Sequence, residues 1–162
     1  MTEEHNHSHN KERLAEHILP LSESDDFDTA RLEWSIFDIK IDDNFDHCPC
    51  GQLIKELCYI KNEKNGNTTF VGNVCINRFM AIETGNLFEG LKRITADSTA
   101  NANEDLIEHA YQLGYIFENE YGFLMDTRRK RKLKPKQLAW KQKINRRIIN
   151  KTQVNKKKGE QL

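Results

Sequence analysis

The chain has 162 residues, of which 37% are apolar and 31% charged, with 25 Lys/Arg against 25 Asp/Glu. That length suits one domain with tails, and the low apolar share leaves a modest core of the kind a bound metal often stabilises. No stretch approaches the ~20 apolar residues of a membrane helix, and the polar start Met1-Thr2-Glu3-Glu4-His5 lacks the apolar run of a secretory leader, so a cytoplasmic protein without a membrane partner is expected.

The zero net charge hides a split. Residues 1–50 hold 4 Lys/Arg and 13 Asp/Glu, residues 51–126 hold 6 and 11, and residues 127–162 hold 15 and 1. A basic end on an acidic body points to an anionic partner, or to a tail that neutralises its own body.

Residues 1–26 read as a disordered acidic tail. His5, His7 and His9 alternate in it as an HxHxH stretch that offers metal donors, but so polar a segment reads as solvated. Residues 27–95 are expected to form a zinc-binding hairpin–helix domain. Asp28 is placed to cap a short helix, Ala30, Trp34 and Phe37 recur at helical spacing, and Leu32-Trp34-Ile36 also alternates like a strand. Trp34 is a core anchor in either case. The acidic loop Asp42-Asp43-Asn44-Phe45-Asp46 leads into the cysteines.

A strand over 53–63, a two-residue turn at Asn65-Gly66 and a return strand over 68–72 make a hairpin. In that register Cys58 faces Asn73. Asn73 suits the N-cap of a helix over 74–82, with Cys75 in its first turn. Residues 96–133 form a helical segment. It holds a helix over 104–113, with Leu106, Ala110 and Leu113 inward and Gly114 as its stop, and another over 118–132, with Tyr121, Leu124 and Met125 packing. Before it, Leu87, Leu91 and Ile94 line one side of a possible helix. Residues 134–162 give a basic amphipathic helix over 136–150 and a frayed end. Trp140, Ile144 and Ile148 share one side of that helix, and Lys136, Lys143, Arg146 and Arg147 the other.

All four cysteines, Cys48, Cys50, Cys58 and Cys75, fall within 28 residues. In a reducing compartment such a cluster favours metal over disulfide. Zn²⁺ takes four thiolate or imidazole ligands, and a site closed by four cysteines is structural, with no open position for substrate. Pro49 and Gly51 suit a tight turn around the first pair. Cys75 gains from the positive end of its helix, which favours the thiolate. Zn²⁺ on all four cysteines is the first assignment, with His47 the substitute ligand for one of them. Cys58 could also be a small buried hydrophobe in mid-strand.

Knuckle, hairpin and a helix carrying the last ligand resemble a treble-clef-type zinc finger. With Glu33-Trp34, Val71-Gly72-Asn73-Val74-Cys75 and Lys136-Gln137-Leu138-Ala139-Trp140, the chain over about residues 28–150 resembles small uncharacterised bacterial, phage and plasmid proteins. The resemblance implies an α+β fold: a zinc-stabilised hairpin followed by a helix, with further helices and a basic C-terminal helix.

Nucleases built on such a unit need a histidine base on the hairpin. The six histidines, His5, His7, His9, His17, His47 and His109, all lie outside the hairpin and its following helix, so no catalytic residue is assigned and no small-molecule substrate is evident. The expected function is non-enzymatic. The run Arg128-Arg129-Lys130-Arg131-Lys132 with Lys136, Lys143, Arg146 and Arg147 would contact DNA or RNA phosphates without sequence preference. The alternative is a protein-binding adaptor or inhibitor of a host or replication factor.

Overall fold

The computed structural model describes residues 3–155, with side chains described from residue 9 onward. The fold is mixed α+β and divides into two compact units, Met1–Thr84 and Gly85–Leu162. The boundary places the helix following Asn86 with the C-terminal helices, not with the hairpin as the 27–95 assignment has it.

The first unit begins with α1 (Glu3–Ile18), where the sequence reading expects disorder. Leu14 and Ile18, one turn apart, are both 0% exposed, and His17 Nε2 lies 2.7 Å from Thr69 Oγ1 on the sheet. Burial of one apolar pair stabilises a helix whose composition alone would leave it unfolded. Residues 156–162, including the expected frayed end, lie outside the described residues.

Asp26, not Asp28, caps α2 (Phe27–Ala30), accepting the Thr29 N–H. A 3₁₀ turn (Arg31–Glu33) then leads into β1 (Trp34–His47), so the alternating pattern at Leu32-Trp34-Ile36 belongs mostly to a strand. Trp34 is buried as expected, with its indole N–H donating to Ser22 Oγ. β1, β2 (Leu53–Asn62) and β3 (Thr68–Gly72) form an antiparallel sheet in that order. β1 slips register between Ile36 and Asp38 and again between Ile41 and Asp46; the second slip carries the acidic stretch.

The hairpin turn differs from the two-residue expectation. Cys58 pairs with Val71 and Lys61 with Thr68. Asn62 and Asn67 close a loop over residues 63–66, and Asn62 Oδ1 accepts the N–H groups of Lys64 and Asn65. That side chain captures the turn and moves the register by two. A shift of two, unlike a shift of one, leaves every side chain on its expected face.

α3 (Asn73–Arg78) starts from Gly72, and Asn73 does not cap it. Asn73 instead donates to Glu56 Oε1 and accepts from Thr84 Oγ1. The helix stops four residues early because Ala81 takes φ +55°, and the Ile82 N–H bonds back to the Ile76 carbonyl. The bond spans one residue more than the six-to-one closure, with Ala81 in the left-handed conformation that glycine usually supplies.

The second unit packs α4 (Leu87–Ala96), α5 (Glu104–Gln112), α6 (Glu118–Thr127) and α7 (Pro135–Asn150). Leu87, Ile94, Leu106, Ala110, Leu124, Ile144 and Ile148 are buried from the faces the periodicity indicates. Asn103 caps α5 through the Leu106 N–H, and Gly114 ends it at φ +81°. α6 ends at Thr127, so the basic run 128–132 is loop rather than helix. No helix among the described residues is long and apolar enough to cross a membrane.

Candidate metal centre

Cys48 follows β1, and its carbonyl accepts the Gly51 N–H at 2.7 Å, closing a turn with Pro49 at its first corner and Gly51 at φ +99°. Proline pre-sets that corner, and glycine tolerates the positive φ that a side chain resists. The turn folds Cys50 back beside Cys48. β2 and β3 then carry the chain out and return it to α3, which brings in Cys75 from its first turn.

The result is a buried group. The sulfurs of Cys48, Cys50 and Cys75 all lie within 4.8 Å of one another, and the residues are 2%, 1% and 2% exposed. Cys48 Sγ is 3.5 Å from Cys75 Sγ and accepts the Gly72 N–H at 3.3 Å. All four cysteines are free thiols. Three thiol sulfurs at this spacing could hold a metal ion.

The electrostatics single out one sulfur. The Cys75 hydrogen bond, together with the backbone N–H groups of Cys50 and Gly72, lowers the Cys48 thiol to about 6. Cys75 is raised, first by sharing its proton with Cys48 and then by burial. The hydrogen bond with Cys48 and the burial both oppose the lowering expected for Cys75 at the helix start. Cys50 is raised by burial.

Cys58 is not among the three residues whose sulfurs lie within 4.8 Å of one another. It sits on β2 at 0% exposure, between Ile39 of β1 and Val71 of β3. Burial pushes its thiol up to about 12, with the charges of Glu56 and Cys48 adding to the shift. His47 is exposed and likewise stands outside the group.

One contact at the site has no signal in the cysteine spacing. The Arg13 guanidinium of α1 lies against Gly51, in the space a Cβ there would occupy. It reaches the knuckle only because Leu14 and Ile18 anchor the helix.

The basic residues do not behave as one set. Arg129, Lys130, Arg131, Lys132, Lys136, Lys143 and Arg146 are exposed, and Arg128 is half-buried and donates to the Met125 carbonyl. Arg128 and Arg129 line a cavity of about 330 Å³ together with Arg93, Asn103 and Asp105. Arg147 is ion-paired with Glu120, whose carboxylate also accepts the Trp140 indole N–H at 3.1 Å. Trp140 stacks on Phe123 with ring centroids 4.3 Å apart. Comparison with known proteins finds no matching family model, no similar curated protein and no similar solved structure.

Proposed function

We propose that this is a non-enzymatic zinc protein in which Cys48, Cys50 and Cys75, with Cys58 as the fourth thiolate, hold a structural Zn²⁺ in a treble-clef-like unit. The buried three-sulfur group carries the reading. A tetrahedral Zn²⁺ with Zn–S bonds of ~2.3 Å sets its sulfurs about 3.8 Å apart. The 3.5 Å between Cys48 and Cys75, and the 4.8 Å limit on all three, suit that figure. Cys58 is the remaining cysteine of the segment and is buried on β2, paired with Val71 four residues before Cys75. When bound, the ion would neutralise thiolates and clamp the knuckle to α3. The Gly72 N–H supports Cys48, and the three cysteines are at most 2% exposed.

On this frame the exposed cations of residues 129–146 are read as a surface for nucleic-acid phosphates, bound without base readout. Their support is exposure and charge: seven of the nine candidate residues are solvent-facing.

Metal analysis of the purified full chain tests the first part. About one equivalent of zinc is expected, falling sharply in Cys75→Ser and Cys58→Ser. Less than half an equivalent, or iron with visible absorbance, overturns it. Gel shifts with duplex and single-stranded oligonucleotides test the second part. Affinity should fall steeply with salt. Absence of any shift at low salt overturns the nucleic-acid reading and favours a protein partner.

A further inference from the structure

The second unit brings three arginines from distant parts of the sequence to one cavity. Arg93 comes from the last turn of α4, and Arg128 and Arg129 directly follow α6. They line a space of about 330 Å³ together with Asn103, Glu104 and Asp105 at the start of α5. That volume lies at the lower end of small-ligand sites, roughly 300–1,000 Å³.

Short polar bonds fix the α5 wall of this space. Asn103 Nδ2 donates to the Asn86 carbonyl at 2.7 Å, while its Oδ1 accepts the Leu106 N–H. The Asn86 N–H donates to Asp105 Oδ2 at 2.7 Å, which engages that carboxylate at the start of α4. The arginine wall is pinned as well. Arg128 Nη1 donates to the Met125 carbonyl at 2.6 Å, and the Lys130 N–H donates to the Thr127 carbonyl. The Lys130 carbonyl in turn accepts from Asn101 Nδ2 at 2.9 Å. The loop that carries Arg128 and Arg129 is thus tied both to α6 and to the segment entering α5.

The guanidinium groups are left over from this network. Arg93 and Arg129 are exposed, and neither has an ion pair or a side-chain hydrogen bond among the described residues. Arg128 uses one nitrogen on the Met125 carbonyl and keeps its other donors. Like charges around one space repel, and the nearby carboxylates of Glu104 and Asp105 do not close ion pairs with them.

We propose that this cavity binds a phosphate monoester, with Arg93, Arg128 and Arg129 meeting its terminal oxygens. A monoester carries about −1.5 to −2 charges at neutral pH and offers three acceptor oxygens. Guanidinium forks meet such oxygens in bidentate pairs. Glu104 repels a bare phosphate, so it favours a phosphate joined to a hydroxyl-bearing group that can donate to a carboxylate, as ribose does. Two sources share that chemistry: a free nucleotide and the phosphorylated 5′ end of a strand. The inference goes beyond the diffuse phosphate contacts of residues 129–146. Arg93 stands outside that set, and an exposed basic face does not tell a monoester from a phosphodiester.

Calorimetric titration of the full chain with adenosine 5′-monophosphate, adenosine and inorganic phosphate tests the site. The monophosphate should bind and adenosine should not. Arg93→Ala should weaken the monophosphate about 10- to 150-fold, the loss of one charge-assisted contact, and Arg129→Ala should act in the same direction. Glu104→Gln should strengthen inorganic phosphate, a gain that a poorly folded variant cannot give. It keeps the test open should Arg93→Ala fold poorly, with the melting transition as the check on folding. Arg146→Ala, outside the cavity walls, should leave the monophosphate titration unchanged.

Oligonucleotides with and without a 5′-phosphate separate the two sources. A 5′-phosphorylated strand that binds more tightly than its 5′-hydroxyl form and than the monophosphate, through Arg93, identifies the strand end. Equal binding of the two strands beside Arg93-dependent binding of the monophosphate identifies the free nucleotide. The site is overturned if folded Arg93→Ala and Arg129→Ala bind both phosphorylated probes as the parent does, or if phosphorylation gives no preference in either pair. The reading of the exposed basic surface then still stands or falls on its own salt-dependent gel shifts.

Discussion

The Glu33 carboxylate accepts the Asn62 side-chain N–H at 2.9 Å, with Glu33 4% and Asn62 0% exposed. Glu33 also accepts the backbone N–H groups of Glu23 and Ser24, while Asn62 Oδ1 takes those of Lys64 and Asn65. One buried pair thus ties the segment after α1, the start of β1 and the hairpin loop. The hydrogen bonds, first that of Asn62, hold the Glu33 pKa at about 2 against the usual 4.5. A depressed carboxylate stabilises the fold above its unfolded pKa, and that stabilisation is lost as pH falls through the folded value. The melting temperature of the parent should therefore fall between about pH 4.5 and 2. Glu33→Gln should melt lower at neutral pH, with the gap closing across that window. Acid also strips metal from thiolates, so the gap between the two proteins is the quantity to read. A gap independent of pH would contradict the ionised state of Glu33.

Gly72 approaches the cysteine cluster so closely that a methyl group there has no room. A Cβ on Gly72 would stand 2.9 Å from Ile54 Cγ2 and 3.6 Å from Cys48 Cβ, and the Gly72 N–H donates to Cys48 Sγ. Gly72→Ala should destabilise the protein by about 1–3 kcal/mol, the usual cost of overpacking. Because the nearest atom is a side chain, Ile54→Ala should recover part of that loss, giving a non-additive cycle in denaturant unfolding. Additive losses would mean that the strain lies in the Cys48 backbone instead.

The legible parts of this chain are those where local chemistry meets no competitor. Leu106, Ala110 and Gly114 announced α5, and Trp34 announced a core anchor, because periodicity and a stop residue suffice there. The hairpin was legible in its strands and faces but missed in its loop. Asn65-Gly66 is a strong turn signal, yet the Asn62 side chain competes for the same backbone N–H groups. Asn73 looked like a helix cap, but Glu56 and Thr84 claim its side chain. Three of the four cysteines come together as their spacing suggests, because a proline–glycine turn and a hairpin are local devices. Arg13 at the knuckle depends on the docking of α1, which no spacing announces.

The docking of α1 has a direct consequence for stability. Leu14 is 0% exposed, and truncating a buried leucine to alanine costs about 2–5 kcal/mol. Leu14→Ala should therefore lower the unfolding free energy by that amount, and amides around residues 14–18 should exchange more slowly than those of a free peptide in the parent. A disordered segment would show neither effect. Arg13→Ala separates anchoring from contact with the knuckle: it should leave the exchange pattern of α1 in place, since Leu14 and Ile18 still hold the helix.

Arg146 and Arg147 are neighbours on α7 with opposite expected behaviour. Arg147 pairs with Glu120, the two side chains being 14% and 6% exposed, and it also donates to the Tyr115 carbonyl at 3.3 Å. Removing one partner of a buried pair leaves the other charge without compensation. Arg147→Ala should cost about 3 kcal/mol in denaturant unfolding, the lower end of the range for such losses, since the pair is not wholly buried. Arg146 is exposed, and Arg146→Ala should alter stability by less than about 0.5 kcal/mol. Its effect should appear in nucleic-acid binding, with affinity falling for every sequence and the salt slope shrinking by about 1. Oligonucleotide titrations at several salt concentrations, paired with unfolding curves for both variants, read the two effects separately. If Arg147→Ala lost binding without losing stability, the cation would face the ligand rather than Glu120, and α7 would sit differently on α6.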